Sequence, residues 1–143
     1  MSMEIHVLSN TKLPAIEAWQ QAIDTEAFNL KLDPDVKLEM ASGFVPALLH
    51  DTESGFECFH DDVAELMETY AETALADSGE HWKHALSLRW GSQSHEGVSV
   101  FMAAAAYARA TQGVVFEPEE GRILTVDECG DIARTWEKEE FKA

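Results

Sequence analysis

Leu86–Glu128, LSLRWGSQSHEGVSVFMAAAAYARATQGVVFEPEEGRILTVDE, reads as a strand, a buried helix, a second strand, a tight turn and the start of another helix. Leu86, Leu88 and Trp90 alternate with Ser87 and Arg89, the two-residue period of a strand with two distinct faces. From about Ser94 to Ala110 the chain is apolar nearly all round, so this helix is expected to run through the middle of the domain with neighbours on several sides. Gln112-Gly113 ends it, and Val114, Val115 and Phe116 make a short buried strand. Pro118 suits the first central position of a type I turn, with Gly121 as the left-handed residue after it. Thr125 with Glu128 is a capping box that launches a last helix through Trp136.

Upstream, Ile5–Ser9 looks like an opening strand, and Ile16, Trp19 and Ile23 recur at helical spacing after Pro14. Phe28–Leu32 follows as a short extended segment. Gly43–Leu49 is apolar enough for a strand, which Pro46 would restrict to an edge or an irregular stretch. Ser54-Gly55 marks a turn, and Phe56, Cys58 and His60 then alternate as in a strand, so a hairpin is the economical reading. Asp62 with Glu65 resembles a capping-box start, and Val63, Leu66, Met67, Tyr70 and Ala74 continue a helical stripe that ends near Asp77-Ser78-Gly79. This interleaving with short connections predicts one α+β domain over residues 1–143. Its expected form is a two-layer sandwich in which a mixed or mostly antiparallel sheet packs against helices, one of them central and Ala-rich.

Composition bounds the function. With 143 residues, 45% of them hydrophobic and 26% charged, the chain has the size and content of one globular domain. Lys and Arg number 10 against 27 Asp and Glu, a formal charge of −17. Such a field repels nucleic acid, whose binding requires cations to displace phosphate counterions, and it disfavours anionic membrane for the same reason. The longest uncharged apolar run, Gly97–Ala108, is shorter than the roughly 20 residues of a membrane helix. MSMEIHVLSN carries no basic stretch followed by an apolar one, so a cytoplasmic address is expected. Cys58 and Cys129 match no Cys-x-x-Cys pattern and are expected to be reduced and buried. No catalytic triad, metal cage or phosphate loop stands out, and no cofactor is expected.

Several of these residues carry a resemblance. Arg89-Trp90-Gly91 at a strand end, the alanines Ala103 to Ala106, Gly113-Val114-Val115-Phe116-Glu117-Pro118 through Gly121, and Gly55-Phe56-Glu57 are similar to a group of small, acidic, uncharacterised bacterial proteins. The likeness covers roughly Gly43 to Glu128 and rests on fold-determining residues. Some proteins of this look are encoded beside secreted toxins and act as immunity proteins. The resemblance therefore implies a non-catalytic, immunity- or inhibitor-like role.

The acidic bias is uneven. Between Lys37 and Lys83 there is no Lys or Arg, yet eleven acidic residues occur. Asp61, Glu65, Glu68 and Glu72 fall at spacings of four, three and four, which predicts one unrelieved helical stripe and a docking face for a basic partner. The bland alternative is a solvated face kept for solubility. Arg89 and Trp90, followed by a helix start near Ser94, form a second candidate, a ligand pocket that would include His95. Against it stands simple capping by Ser92 or Ser94. His81 and His84, with His60, Asp61, Asp62 and Cys58 nearby, raise metal binding, but between a turn and a strand the two rings are expected to diverge. Cys58 and His60, two apart on a strand, share a face but have no third group to orient the imidazole, so buried packing is expected. A small enzyme or ligand-binding domain, and an oligomeric housekeeping protein, remain the alternatives to protein binding.

Overall fold

Strands that alternate their side chains need cover on each apolar face, and helices meet that need unequally here. In a computed structural model, which describes residues 3–77 and 82–142, seven strands form one antiparallel sheet. They are β1 (Met3–Ser9), β2 (Leu30–Leu32), β3 (Ser42–Leu49), β4 (Thr52–Asp61), β5 (His84–Trp90), β6 (Val114–Glu117) and β7 (Arg122–Leu124), in the order β2-β3-β4-β5-β1-β6-β7. The helices are α1 (Ile16–Thr25), α2 (Val63–Thr69), the short α3 (Ala74–Asp77), α4 (Ser94–Thr111) and α5 (Val126–Glu140). The class is thus α+β, with the sheet packed against helices as the sequence predicts. No helix among the described residues is long and apolar enough to cross a membrane.

The first face of the sheet carries the main core. α4 lies on it between α1 and α5, and Val98 and residues 100–108 of α4 are buried. Ala103 to Ala106 are completely buried, and their small side chains let both neighbouring helices come close. Trp19 of α1 packs against Phe56 and Tyr107 and donates its indole N–H to the Ala103 carbonyl at 2.9 Å. That bond gives a fully buried polar group its partner.

The second face is only partly covered. Leu66 of α2 and Leu75 of α3, helped by Val63, Met67 and Tyr70, bury Leu8, Ala85 and Phe116 in a smaller cluster. That cover sits over β5, β1 and β6. The outward residues of β3, Phe44, Pro46 and Leu48, stay exposed.

Several local expectations hold, and others shift for identifiable reasons. Thr125 Oγ1 accepts from Glu128 N at 3.1 Å and the Glu128 carboxylate accepts from Thr125 N at 2.9 Å, completing the capping box. Those bonds hold the Glu128 carboxyl below its ordinary range. Gly121 is left-handed (φ 66°) in the turn that joins β6 to β7. The hairpin of β3 and β4, however, turns at His50-Asp51, both with positive φ (51° and 64°), and not at Ser54-Gly55. Two left-handed residues make the two-residue turn whose twist matches that of the strands. Gly55 lies inside β4 because a Cβ there would collide with the Phe44 ring and the Val45 carbonyl.

β3 is not an edge strand, since β2 borders it. Pro46 is tolerated because its C=O accepts from Asp33 N on the β2 side, and a strand residue's N points the same way as its C=O. Its missing N–H therefore leaves the ladder to β4 whole. Pro14 lies ahead of the Ala15 N-cap rather than in the first turn of α1.

The end of α4 shows which glycine matters. Gln112, not Gly113, takes the left-handed cap (φ 56°), while Gly113 N bonds back to the Ala108 carbonyl at 2.8 Å. Gly113 is required because a Cβ would strike the Leu8 carbonyl of β1. Gly113→Ala is therefore expected to lower unfolding free energy by about 1–3 kcal/mol, whereas Gln112→Gly should shift it by less than about 1 kcal/mol. Urea denaturation of the two variants checks this, and equal effects would contradict it.

Candidate functional site

Alternation along β3 and β4 sends Val45, Ala47, Leu49, Phe56 and Cys58 into the main core. Phe44, Pro46 and Leu48 of β3, with Glu53 and Glu57 of β4, therefore face the other way. Phe44 is 56% exposed and Leu48 42%. The cross-strand pairs Leu48–Glu53 and Phe44–Glu57 set a carboxylate beside each of them. A concavity of about 810 Å³ adjoins this strip, bordered among others by Lys31, Asp33, Phe44, Pro46, Leu48 and Glu53. Fully burying a side chain of this size is worth roughly 1.5–3 kcal/mol, so the fold leaves stabilisation unused here.

The expected acidic stripe is split by the end of α2. Asp61 belongs to β4, and its carboxylate accepts the Ser87 hydroxyl. Asp62 caps α2 by accepting from Glu65 N at 3.2 Å. The helix then stops at Thr69, so Glu72 sits in the turn before α3 rather than one turn further along. Thr73 Oγ1 donates to the Tyr70 carbonyl and accepts from Leu75 N, stabilising the break. Glu65, Glu68 and Glu72 are exposed, and none of them is ion-paired among the described residues. Arg89, Arg109, Arg122 and Arg134 each hold a carboxylate elsewhere.

Beneath α2 lies a polar trio that the sequence did not reveal, buried His6 and Ser87 with half-buried Asp61, from three adjacent strands. His6 is 2% exposed and Ser87 fully buried. With the Ser87 hydrogen on Asp61, the 2.6 Å contact to His6 Nδ1 is completed by a ring that carries its proton on Nδ1. His6 Nε2 then has no partner among the described residues. A hydrolase triad puts the imidazole between serine and carboxylate, but here the serine is central and bonds the carboxylate directly. The arrangement orders three strands and does not activate a nucleophile. Burial outweighs the pull of Glu4 and Asp61, and with the push of Arg89 it holds the ring below its ordinary pKa of 6.5.

Arg89 and Trp90 do not share a pocket, because consecutive strand residues face opposite ways. Arg89 lies on the second face, bonded to Glu4 at 3.0 Å and placed 5.1 Å over the Phe59 ring. Trp90 turns toward α4 and α5, where it meets Phe101 and Trp136 edge-on. Ser94 does not cap α4. Gln93 occupies that position without a side-chain bond, and the Ser94 hydroxyl donates to Glu140 at 2.6 Å. His95 Nδ1 lies 3.9 Å from the same carboxylate. Trp90 and His95 thus approach one region from which Arg89 is absent.

The remaining candidates scatter. Cys58 and Cys129 are free, and burial pushes both thiols up to about 12, which leaves them protonated and inert. His60 bonds the Leu38 carbonyl at 2.7 Å. His81 lies outside the described residues, and among those described no three His, Cys, Asp or Glu side chains converge as a metal site. The sequence reading missed Phe44, Leu48 and Trp136. The first two carried a signal, since β3 is apolar at both parities although one face needs cover.

Below pH 6.5 the unfolded chain takes up a proton that native His6 resists, so its contribution to stability is whole above that pH and is lost as pH falls. Denaturation at pH 7.5 and pH 5.5 is expected to show a smaller drop in His6→Asn than in the wild type. Equal drops would contradict it.

Compared with known proteins, the chain matches no family model, no curated protein and no solved structure.

Proposed function

We propose that the chain is a non-catalytic binding protein that captures a basic protein on the bare half of the second sheet face. The observation that supports this most is the exposed strip of Phe44, Pro46 and Leu48, with Glu53 and Glu57 paired to it across the strands. An apolar centre with a charged rim is how specific interfaces are organised, and like-signed rim charges steer an oppositely charged partner toward it. Glu65, Glu68 and Glu72 extend the negative field beyond the strip, while Asp61 is committed to Ser87. The partner is taken to be basic because the chain's formal charge is −17 and Glu65, Glu68 and Glu72 form no ion pair among the described residues, although Arg89 lies opposite Glu57 across the strands. Together with the resemblance to immunity proteins, this favours an inhibitor-like role in which the acidic rim covers a basic active site.

The test uses exposed positions, so folding is retained. Immobilised wild-type chain should retain a basic protein from its native host, and 0.5 M salt should weaken capture. The double variant Glu53→Lys, Glu57→Lys should lower affinity at least about tenfold, with a flatter salt dependence. Leu48→Glu should lower it as well. Retention unchanged in both variants, or a retained protein that is acidic, would refute the reading. Sedimentation at two salt concentrations that showed a second copy of the chain to be the occupant would also refute it.

A further inference from the structure

We infer that the open half of β3 takes an extended, basic segment of the partner as an additional strand of the sheet. This deepens the reading above and rests on it for the partner's charge. β2 borders β3 only at Ala47, Leu48 and Leu49, with one further bond from Asp33 N to the Pro46 carbonyl at 2.9 Å. The chain then turns at Pro34-Asp35, and residues 42–45 have no strand on that side.

Register decides which backbone groups are left over. In an antiparallel ladder, successive residues point their N–H and C=O alternately toward one neighbouring strand and the other. Pro46 points its C=O toward β2, so Phe44 and Ser42, at two-residue steps from it, point theirs the same way. Neither residue's N–H or C=O has a hydrogen-bond partner among the described residues. Two donors and two acceptors at strand spacing are a template for a further strand, and such edges are where extended peptides add to sheets. Room is present as well, since a concavity of about 430 Å³ runs along Met40, Ser42 and Phe44 and is bordered also by Val36 and Lys37.

The surroundings select the segment. Residues directly opposite across a ladder share a face, so side chains opposite Phe44 and Ser42 emerge on the second face beside the exposed Phe44 ring. Apolar residues suit those two positions, with exposed Met40 bordering the same concavity. Charge sets the flanks. The connection over residues 33–41 carries Asp33, Asp35 and Glu39 against Lys37, and Glu57 lies across the strands from Phe44. None of these four carboxylates is ion-paired among the described residues. Two copies of a chain with a formal charge of −17 repel, which disfavours pairing of this edge with itself. A strand with apolar residues at alternate positions and lysine or arginine at its ends meets both conditions.

The probe is acetyl-Lys-Val-Thr-Val-Lys-amide, titrated into the whole chain and followed by nuclear magnetic resonance of the backbone amides. It should bind with a dissociation constant of about 1 mM, shift the Ser42 and Phe44 amide signals and slow their hydrogen exchange. Methylating both valine nitrogens removes the donors that face β3 and should weaken binding at least about tenfold. Methylating the threonine nitrogen, which points away from β3, should change it less than about threefold. Replacing both peptide lysines by glutamate should weaken binding at least about threefold, while Leu48→Glu in the chain should not weaken it. Equal binding of the two methylated peptides, both weakened by Leu48→Glu, overturns the added strand and leaves the reading of the sheet face standing. Equal binding of the glutamate peptide overturns the charge on which both rest. The inference also fails if the unmodified peptide does not bind, or if sedimentation shows a dimer that the peptide dissociates, which would assign the edge to a second copy of the chain.

Discussion

The burial of α4 on every side is the constraint on which the rest of this structure depends. A helix with Ala103 to Ala106 at its centre offers little apolar surface per residue, so it is stable only where neighbours come close all round. The sheet supplies one wall, while α1 and α5 supply the others. Trp19 reaches in from α1 to the Ala103 carbonyl, and α5 is held by its own capping box and by the buried Cys129 and Ala133. Concentrating three helices on one face leaves only the short α2 and α3 for the other.

That asymmetry produces the candidate surface. On the second face, two short helices cover β1, β5 and β6, so β3 presents Phe44, Pro46 and Leu48 to solvent beside Glu53 and Glu57. On the helical side, α4 and α5 meet at Gly97, and the missing Cβ lets the Trp90 indole edge into the gap under Trp136. The trio of His6, Ser87 and Asp61 differs in kind, because it lies under α2 and is spent on holding strands together.

The class of fold was legible because α4, the capping box at Thr125 and the β6–β7 turn are specified by local residues. What the sequence hid depends on distant contacts. Gly55 reads as a turn, but its role is to lie beneath Phe44 of the neighbouring strand. The end of α2 at Thr69 interrupts a stripe that looks continuous through Ala74, and it thereby separates Glu72 from Glu65 and Glu68. Asp61 looks like part of that stripe, yet its partner is Ser87, far along the chain. The separation of Arg89 from Trp90 was readable, since strand alternation already sets neighbours on opposite faces. The apolar residues at both parities of β3 signalled that one of its faces lacked cover, but which face the helices choose is set by no local pattern.

Amide hydrogen exchange resolved by residue tests the central claim most directly. If α4 is the buried centre, the amides of residues 98–108 exchange only through global unfolding, with the same free energy and denaturant dependence as the whole chain, while α2 opens more readily. Exchange of the α4 amides through local opening, at rates like those of α2, would contradict the account.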